Sequence, residues 1–243
     1  MDDLSIIQHL NYALMDLERE TAPTVELAYP ILFVIGPPRS GTTVFTQFLA
    51  YGLMTGYITN IAARFWNAPT LGVRVSRNTL GDDPAGDMGK AFFESKQGQT
   101  PYGGGIHEFG YFWKSICWES PKLHKLDQIQ QILGKPLVMK GIYPSRHIDL
   151  VRDQLGEKAK FIAVQRPFND MLASVVRLWK ESGKMDYWFR GWELPTGLES
   201  VIEFESPVER IAVRLFYWLR YSERVADFKI YLPNICNVPN TAL

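Results

Sequence analysis

Cysteine is almost missing from this chain: 243 residues hold two, Cys117 and Cys236. They stand far apart and share no metal-ligand or redox-motif spacing, so a cysteine-based zinc centre or a thiol–disulfide active site is excluded. A single disulfide between them stays open, although a reducing compartment suits this usage better. Net charge is missing too. Twenty-six Lys and Arg balance twenty-six Asp and Glu, which excludes the basic excess of a general nucleic-acid binder. No apolar run approaches the roughly 18 residues of a membrane span. The start, Met1-Asp2-Asp3-Leu4, is acidic and leads into an amphipathic pattern, so no signal peptide is expected. These absences predict a soluble, cytoplasmic protein. Repeats and low-complexity tracts are absent as well. A chain of this length suffices for one α/β domain with a full core, expected over 1–243.

What is present concentrates in Ile31-Leu-Phe-Val-Ile-Gly-Pro-Pro-Arg-Ser-Gly-Thr-Thr43. Five apolar residues read as a buried strand. A Gly-Pro-Pro-Arg-Ser-Gly loop follows, and Thr42 and Thr43 open an amphipathic helix. A strand, a glycine loop and a helix N-terminus make an anion cradle, because unpaired N–H groups and the positive helix end converge there. Gly36 and Gly41 have the spacing of the phosphate-binding P-loop. The P-loop lysine, however, is absent: Thr42 holds its place, and the nearest cation is Arg39. That lysine grips the β- and γ-phosphates of a nucleoside triphosphate. A Walker-B strand ending in Asp is absent too, since the other buried strands, Pro136–Lys140 and Phe161–Arg166, end on cations. The pattern predicts an anionic donor activated without a metal.

Pro38-Arg39-Ser40-Gly41-Thr42-Thr43 resembles the 5′-phosphosulfate loop of sulfotransferases that use 3′-phosphoadenosine-5′-phosphosulfate (PAPS). Arg166-Pro167-Phe168-Asn169-Asp170-Met171-Leu172-Ala173-Ser174 resembles that family's 3′-phosphate motif: Arg at a strand end, Asp at +4 and Ser at +8 on the next helix. The departure is the proline, at +1 instead of +2. Two motifs, in order and each at a strand-to-helix junction, span residues 31–180. The resemblance implies the P-loop NTPase-like sulfotransferase fold, a parallel β-sheet flanked by helices, with a nucleotide-binding core over about 28–180. It also implies PAPS as co-substrate and no resident metal.

Around that core, Leu4–Glu20 has helical apolar spacing, and Asn60–Trp66 reads as a further helix. The glycine-rich stretch 72–105 reads as irregular, and 56–118 as a lid or acceptor wall. Further elements are expected at Leu126–Leu133 (helix), Ser145–Leu155 (helix), Asp170–Lys180 (helix), Pro207–Asp227 (helix) and Phe228–Leu232 (strand). Strands alternating with helices predict a parallel sheet. The tail from Pro233 matches no family segment, and the family's C-terminal nucleotide motif is absent. Natural shortness, truncation and frameshift all stay open.

By the resemblance, Pro38, Arg39, Ser40, Gly41, Thr42 and Thr43 hold the 5′-phosphosulfate. Arg39 stands where many members have lysine. As a permanent forked cation it suits electrostatic stabilisation of the leaving phosphate, not proton donation. Arg166 and Ser174 hold the 3′-phosphate, and Asp170 caps or orients. Lys140 and Pro144 match a K-x-H-x-P segment whose lysine polarises the sulfate, but Ile142 replaces its histidine base. The base must come from elsewhere. Glu108, between three glycines and an aromatic run, is the first choice, His107 the second and His147 the next. His9 and His124 read as structural. Plainer readings compete: Lys140 as a solvated strand-end lysine, Glu108 as a helix cap, Arg166 as a surface arginine. Phe109–Trp118 would wall an acceptor pocket for a small-molecule, carbohydrate or lipid hydroxyl or amine. The rival functions are a P-loop small-molecule kinase and an inactive nucleotide-binding relic. Neither acceptor nor oligomeric state is legible.

Overall fold

The computed structural model describes residues 3–21, 29–82, 103–115, 123–141, 147–183 and 206–232. Both cysteines, Ile142, Pro144, Trp118 and the tail from Pro233 lie outside the described residues, as does most of the glycine-rich stretch. The elements are α1 (Asp3–Thr21), β1 (Ile31–Ile35), α2 (Thr42–Gly52), α3 (Pro69–Leu80), α4 (Gly110–Ser115), α5 (His124–Leu133), β2 (Leu137–Lys140), α6 (Ile148–Leu155), β3 (Ala159–Gln165), α7 (Phe168–Ser182), α8 (Pro207–Val225) and β4 (Phe228–Tyr231). The protein is α/β, with a four-stranded parallel sheet in the order β2-β1-β3-β4. No described helix is long and apolar enough to cross a membrane. The backbone divides into two compact units, Met1–Phe33 with Thr43–Lys160, and Val34–Thr42 with Phe161–Leu243.

The first unit holds β2 and the start of β1 (Ile31–Phe33), and the apolar runs of both strands are buried except for the half-buried Leu32, as a strand covered on both faces requires. Phe33 meets Trp113 edge to face at 6.3 Å. Gly56 joins β2 by accepting from the Val138 N–H (2.8 Å) and donating to the Pro136 carbonyl (2.7 Å). Two expectations are corrected here. Residues 60–66 form a single 3₁₀ turn, Ala62–Arg64, and not a longer helix. The supposedly irregular stretch after Gly72 begins inside α3. That helix has no side-chain cap of its own, since Ala68 occupies the N-cap. Its cap comes from α1: the Glu18 carboxylate accepts from the Thr70 N–H (2.9 Å), the Thr70 hydroxyl (2.7 Å) and the Leu71 N–H (3.2 Å). Glu18 is 1% exposed. A buried anion thus serves two orphan N–H groups at the positive end of α3. Two turns earlier on α1, Asn11 donates to the Arg64 carbonyl (2.7 Å) and accepts from the Asn67 N–H (2.9 Å). Gly72 cannot be larger, because a Cβ there would lie 2.7 Å from the Ala62 carbonyl oxygen.

The second unit is built on β3 and β4, which run parallel with Ile162 opposite Phe228 and Gln165 opposite Tyr231. Asp227 fixes that register: its N–H donates to the Phe161 carbonyl (2.9 Å) and its carboxylate accepts from the Phe161 N–H (2.7 Å). Helices α7 and α8 pack through Met171, Val175, Ile211, Leu215 and Leu219. The N-cap of α8 is Ser206, whose hydroxyl accepts from the Glu209 N–H at 3.2 Å, with Pro207 in the first turn. Helix α7 begins at Phe168, ahead of the expected Asp170, because Pro167 (φ −49°) serves as its N-cap.

Candidate functional site

The glycine loop leaves β1 with three residues at positive φ: Gly36 (+152°), Arg39 (+68°) and Gly41 (+97°). The two glycines are required by space as well as by angle. A Cβ on Gly36 would lie 2.8 Å from both the Ser40 Oγ and the Val164 carbonyl oxygen, and one on Gly41 would lie 2.6 Å from Leu232 Cδ1. The Ser40 N–H donates to the Pro37 carbonyl at 3.2 Å, which closes the turn. Ser40 is 0% exposed, and its hydroxyl has no hydrogen-bond partner among the described residues. A buried hydroxyl without a partner is costly unless something else binds it. After the loop, Thr42 and Thr43 open α2, whose first turn carries no acidic residue to compete for its N–H groups.

The same unit brings the second motif to this loop. The Arg39 Nε–H donates to the Ser174 Oγ at 2.9 Å, and an Arg166 Nη1–H reaches the Arg39 carbonyl oxygen at 3.4 Å. Arg166 is half-buried, not a freely solvated surface arginine. Residues 135 and 127 positions apart therefore form one cationic cluster beside the cradle. Arg39 is the one non-glycine loop residue in the left-handed region, where an L residue is strained. Ser174 and Arg166 grip it from two sides. Asp170 sits in the first turn of α7 without acting as its N-cap. There its charge complements the helix dipole.

Lys140, Glu108 and His107 belong to the first unit. Lys140 ends β2 and is 8% exposed, and its ammonium forms an ion pair with the Glu108 carboxylate. This removes the solvated reading of Lys140 and gives Glu108 a partner other than a helix end. The chain at Glu108 is held firmly. Phe109 is buried at φ +57° and stacks on Phe112 at 4.4 Å. Its N–H donates to His107 Nδ1 at 2.8 Å, while the His107 N–H donates to the Ile58 carbonyl at 2.9 Å. Since Nδ1 accepts, the neutral ring carries its proton on Nε2. Burial, and to a smaller extent the Arg64 charge, hold the His107 pKa below 6.5, against an opposing pull from Glu108. His107 is thus a neutral brace across the strained turn that presents Glu108. His147 stands at the N-cap of α6 without a side-chain capping bond.

No protein-family model matches the chain, and neither does any curated protein. Among solved structures it is similar to the sulfotransferase STF9 from Mycobacterium avium, at 16% identity and a TM-score of 0.49. The match covers 90% of this chain and 62% of that one, so this chain spans less than two thirds of its length.

Proposed function

We propose that the protein is a sulfotransferase that moves a sulfuryl group from PAPS to an acceptor hydroxyl or amine. The observation that carries this reading is the Arg39–Ser174 hydrogen bond. It joins a loop suited to a 5′-phosphosulfate with a strand-to-helix turn suited to a 3′-phosphate. An ATP-type loop has no use for the second anion site. The residues present fit such a donor: Gly36 and Gly41 keep the cradle open, the Ser40 hydroxyl has no partner among the described residues, and Arg39 and Arg166 supply charge. Pro38, Arg39, Ser40, Gly41, Thr42 and Thr43 take the 5′ end, Arg166 and Ser174 the 3′-phosphate. No resident metal enters this reading.

In the reaction the acceptor oxygen forms a bond to sulfur. The bond from sulfur to the 5′-phosphate oxygen breaks, leaving a sulfate ester and 3′,5′-bisphosphoadenosine. The acceptor proton passes to Glu108, with Lys140 as the cation of the same pair. Arg39 and the loop N–H groups balance the charge growing on the departing phosphate. His107 is a positioning residue for Glu108.

Calorimetry tests the donor site directly. 3′,5′-Bisphosphoadenosine should bind in the presence of a chelator and one to two decades more tightly than 5′-AMP, the range expected for hydrogen bonds to a charged group. Arg166→Ala should erase that preference and leave AMP binding nearly unchanged. Equal affinities in the unaltered protein would refute the second motif. Transfer of labelled sulfate from PAPS into acceptor pools then separates an enzyme from a nucleotide-binding relic.

A further inference from the structure

The first unit contains a cavity of about 380 Å³ that the transfer reading leaves unused. Its walls come from the end of α2, the chain from Met54 to Ala62, α3 and the Leu133–Lys135 turn. None of the residues assigned above to the donor, the acceptor proton or the leaving phosphate lines it. Ala50 and Tyr51 enter the wall more than two helical turns beyond Thr42.

Its polar groups do not close on themselves. Thr59 and Ser76, both 4% exposed, share a hydrogen bond of 2.7 Å between their hydroxyls, and Thr59 Oγ1 also accepts from the Ala62 N–H at 3.0 Å. Two hydroxyls carry two protons. One lies in the bond between them, and the other has no acceptor among the described residues, whichever hydroxyl donates. The rim holds Arg77, Asp82 and Lys135, one net positive charge. Arg77 is committed: it pairs with Asp82 (Nε to Oδ1 2.7 Å) and donates to the Ile132 carbonyl. Lys135 is half-buried and forms no ion pair among the described residues. Thr55 also lines the cavity, but its hydroxyl is committed to the Leu49 carbonyl at 3.3 Å; the rest of the wall is mainly apolar and includes Ala62, Val73, Tyr51 and Tyr57, the two tyrosine rings meeting edge to face at 5.7 Å. A largely apolar cavity with a few convergent polar groups is the ordinary form of a small-molecule site.

We propose that this cavity binds a small aromatic carboxylic acid. Its anion pairs with Lys135, its ring lies against Tyr51, Tyr57 and Val73, and a second oxygen accepts a hydrogen bond from the hydroxyl of the Thr59–Ser76 pair whose proton is not used between them. At roughly 30 Å³ per water the cavity has space for about a dozen water volumes, which suits a molecule of about that many heavy atoms.

The probes are 3-benzoylpropionate, 4-phenylbutyrate and 4-phenylbutan-1-ol, which carry the anion with a carbonyl, the anion alone and neither. Binding is read by saturation-transfer NMR and thermal shift on the full chain. 3-Benzoylpropionate should saturate and bind more tightly than 4-phenylbutyrate, and the alcohol should bind weakest. Lys135→Met should weaken 3-benzoylpropionate about tenfold or more, and Ser76→Ala severalfold. Affinity for 3′,5′-bisphosphoadenosine should be the same in these variants as in the unaltered chain, so this outcome is independent of the donor reading. Absence of saturation below about 10 mM, or equal affinity in Lys135→Met, would overturn the proposal and leave a water-filled cavity. Val73→Trp, which fills the space, should abolish probe binding; undiminished binding in a folded Val73→Trp protein would overturn it as well.

Discussion

The bond between Arg39 and Ser174 can be tested as a coupling. Arg39 keeps a left-handed backbone at φ +68°, a conformation that costs an L residue about 1–2 kcal/mol. It is held there by its own Nε–H on Ser174 Oγ and by the Arg166 N–H on its carbonyl. Ser174→Ala removes the acceptor from a charged donor, a loss of about 1.5–3 kcal/mol. That is one to two decades in affinity for 3′,5′-bisphosphoadenosine, measured by titration calorimetry. Arg39→Ala removes the same bond and a cation, so it should cost at least as much. If the two motifs form one site, the double variant must fall short of the sum by about 1–2 kcal/mol, as contacting residues do. Arg39→Gly gives an internal control. It relieves the backbone without restoring the side chain, so it should be about 1 kcal/mol more stable than Arg39→Ala in urea and bind no better. Additivity within about 0.5 kcal/mol would mean that the loop and the α7 serine do not act together, and the argument for a two-anion donor would lose its support.

Three further outcomes are expected. Glu108→Gln should lower turnover by roughly two to four decades with nucleotide affinity intact, and His107→Asn should do less; if His107→Asn is the more damaging, the histidine is the base, and if neither slows turnover tenfold, the base lies elsewhere. Glu18→Ala should destabilise the fold by about 2–4 kcal/mol in urea, since it strips three bonds from the start of α3; Glu18→Gln, which keeps one acceptor oxygen, should lie between, and a loss under about 0.5 kcal/mol for Glu18→Ala would contradict the capping role. Asp127, at the start of α5, has its pKa raised from 3.8 to about 6 by burial, against a smaller opposing pull from Lys158. A raised carboxyl contributes stability below pH 3.8 that is lost as pH rises through about 6. Asp127→Asn should therefore stabilise the protein at pH 7.5 and make no difference at pH 3.5, as urea midpoints would show; an equal effect at both values would refute the assignment.

The β1–loop–α2 unit was legible because everything that shapes it is local. A β-branched apolar run makes the strand, two glycines take angles and spaces closed to other residues, and the helix follows at once. Helix α3 was not legible, for an equally physical reason. Its cap is a glutamate 52 residues earlier in the chain, and its one interior glycine is set by an approach to Ala62, not by a turn. Helix α1 shows the reverse trap. Its apolar spacing predicts a helix correctly, yet the buried positions include Asn11 and Glu18, while Ile6, Leu10 and Leu17 are exposed. Polar side chains face inward there because Arg64, Asn67 and the start of α3 need partners.

The site follows the same division. Motifs name the residue types at Arg39, Arg166 and Ser174, but no pattern states that the arginine of the loop donates to the serine of the helix. A lysine ending a strand and a glutamate after three glycines are separate features in sequence. As an ion pair they cease to be independent candidates, because a change to either leaves the other charge partly buried and without its partner. This changes how substitution of Lys140 must be interpreted. Lys140→Met would remove a cation and also release Glu108 from its geometry, so a loss of turnover would not by itself assign the lysine to the sulfate. The informative comparison is Glu108→Gln alone against Glu108→Gln with Lys140→Met. If Lys140 acts only by holding Glu108, the lysine change should add nothing once the glutamate is lost. If Lys140 also acts on the transferred group, the double variant should turn over more slowly than Glu108→Gln alone.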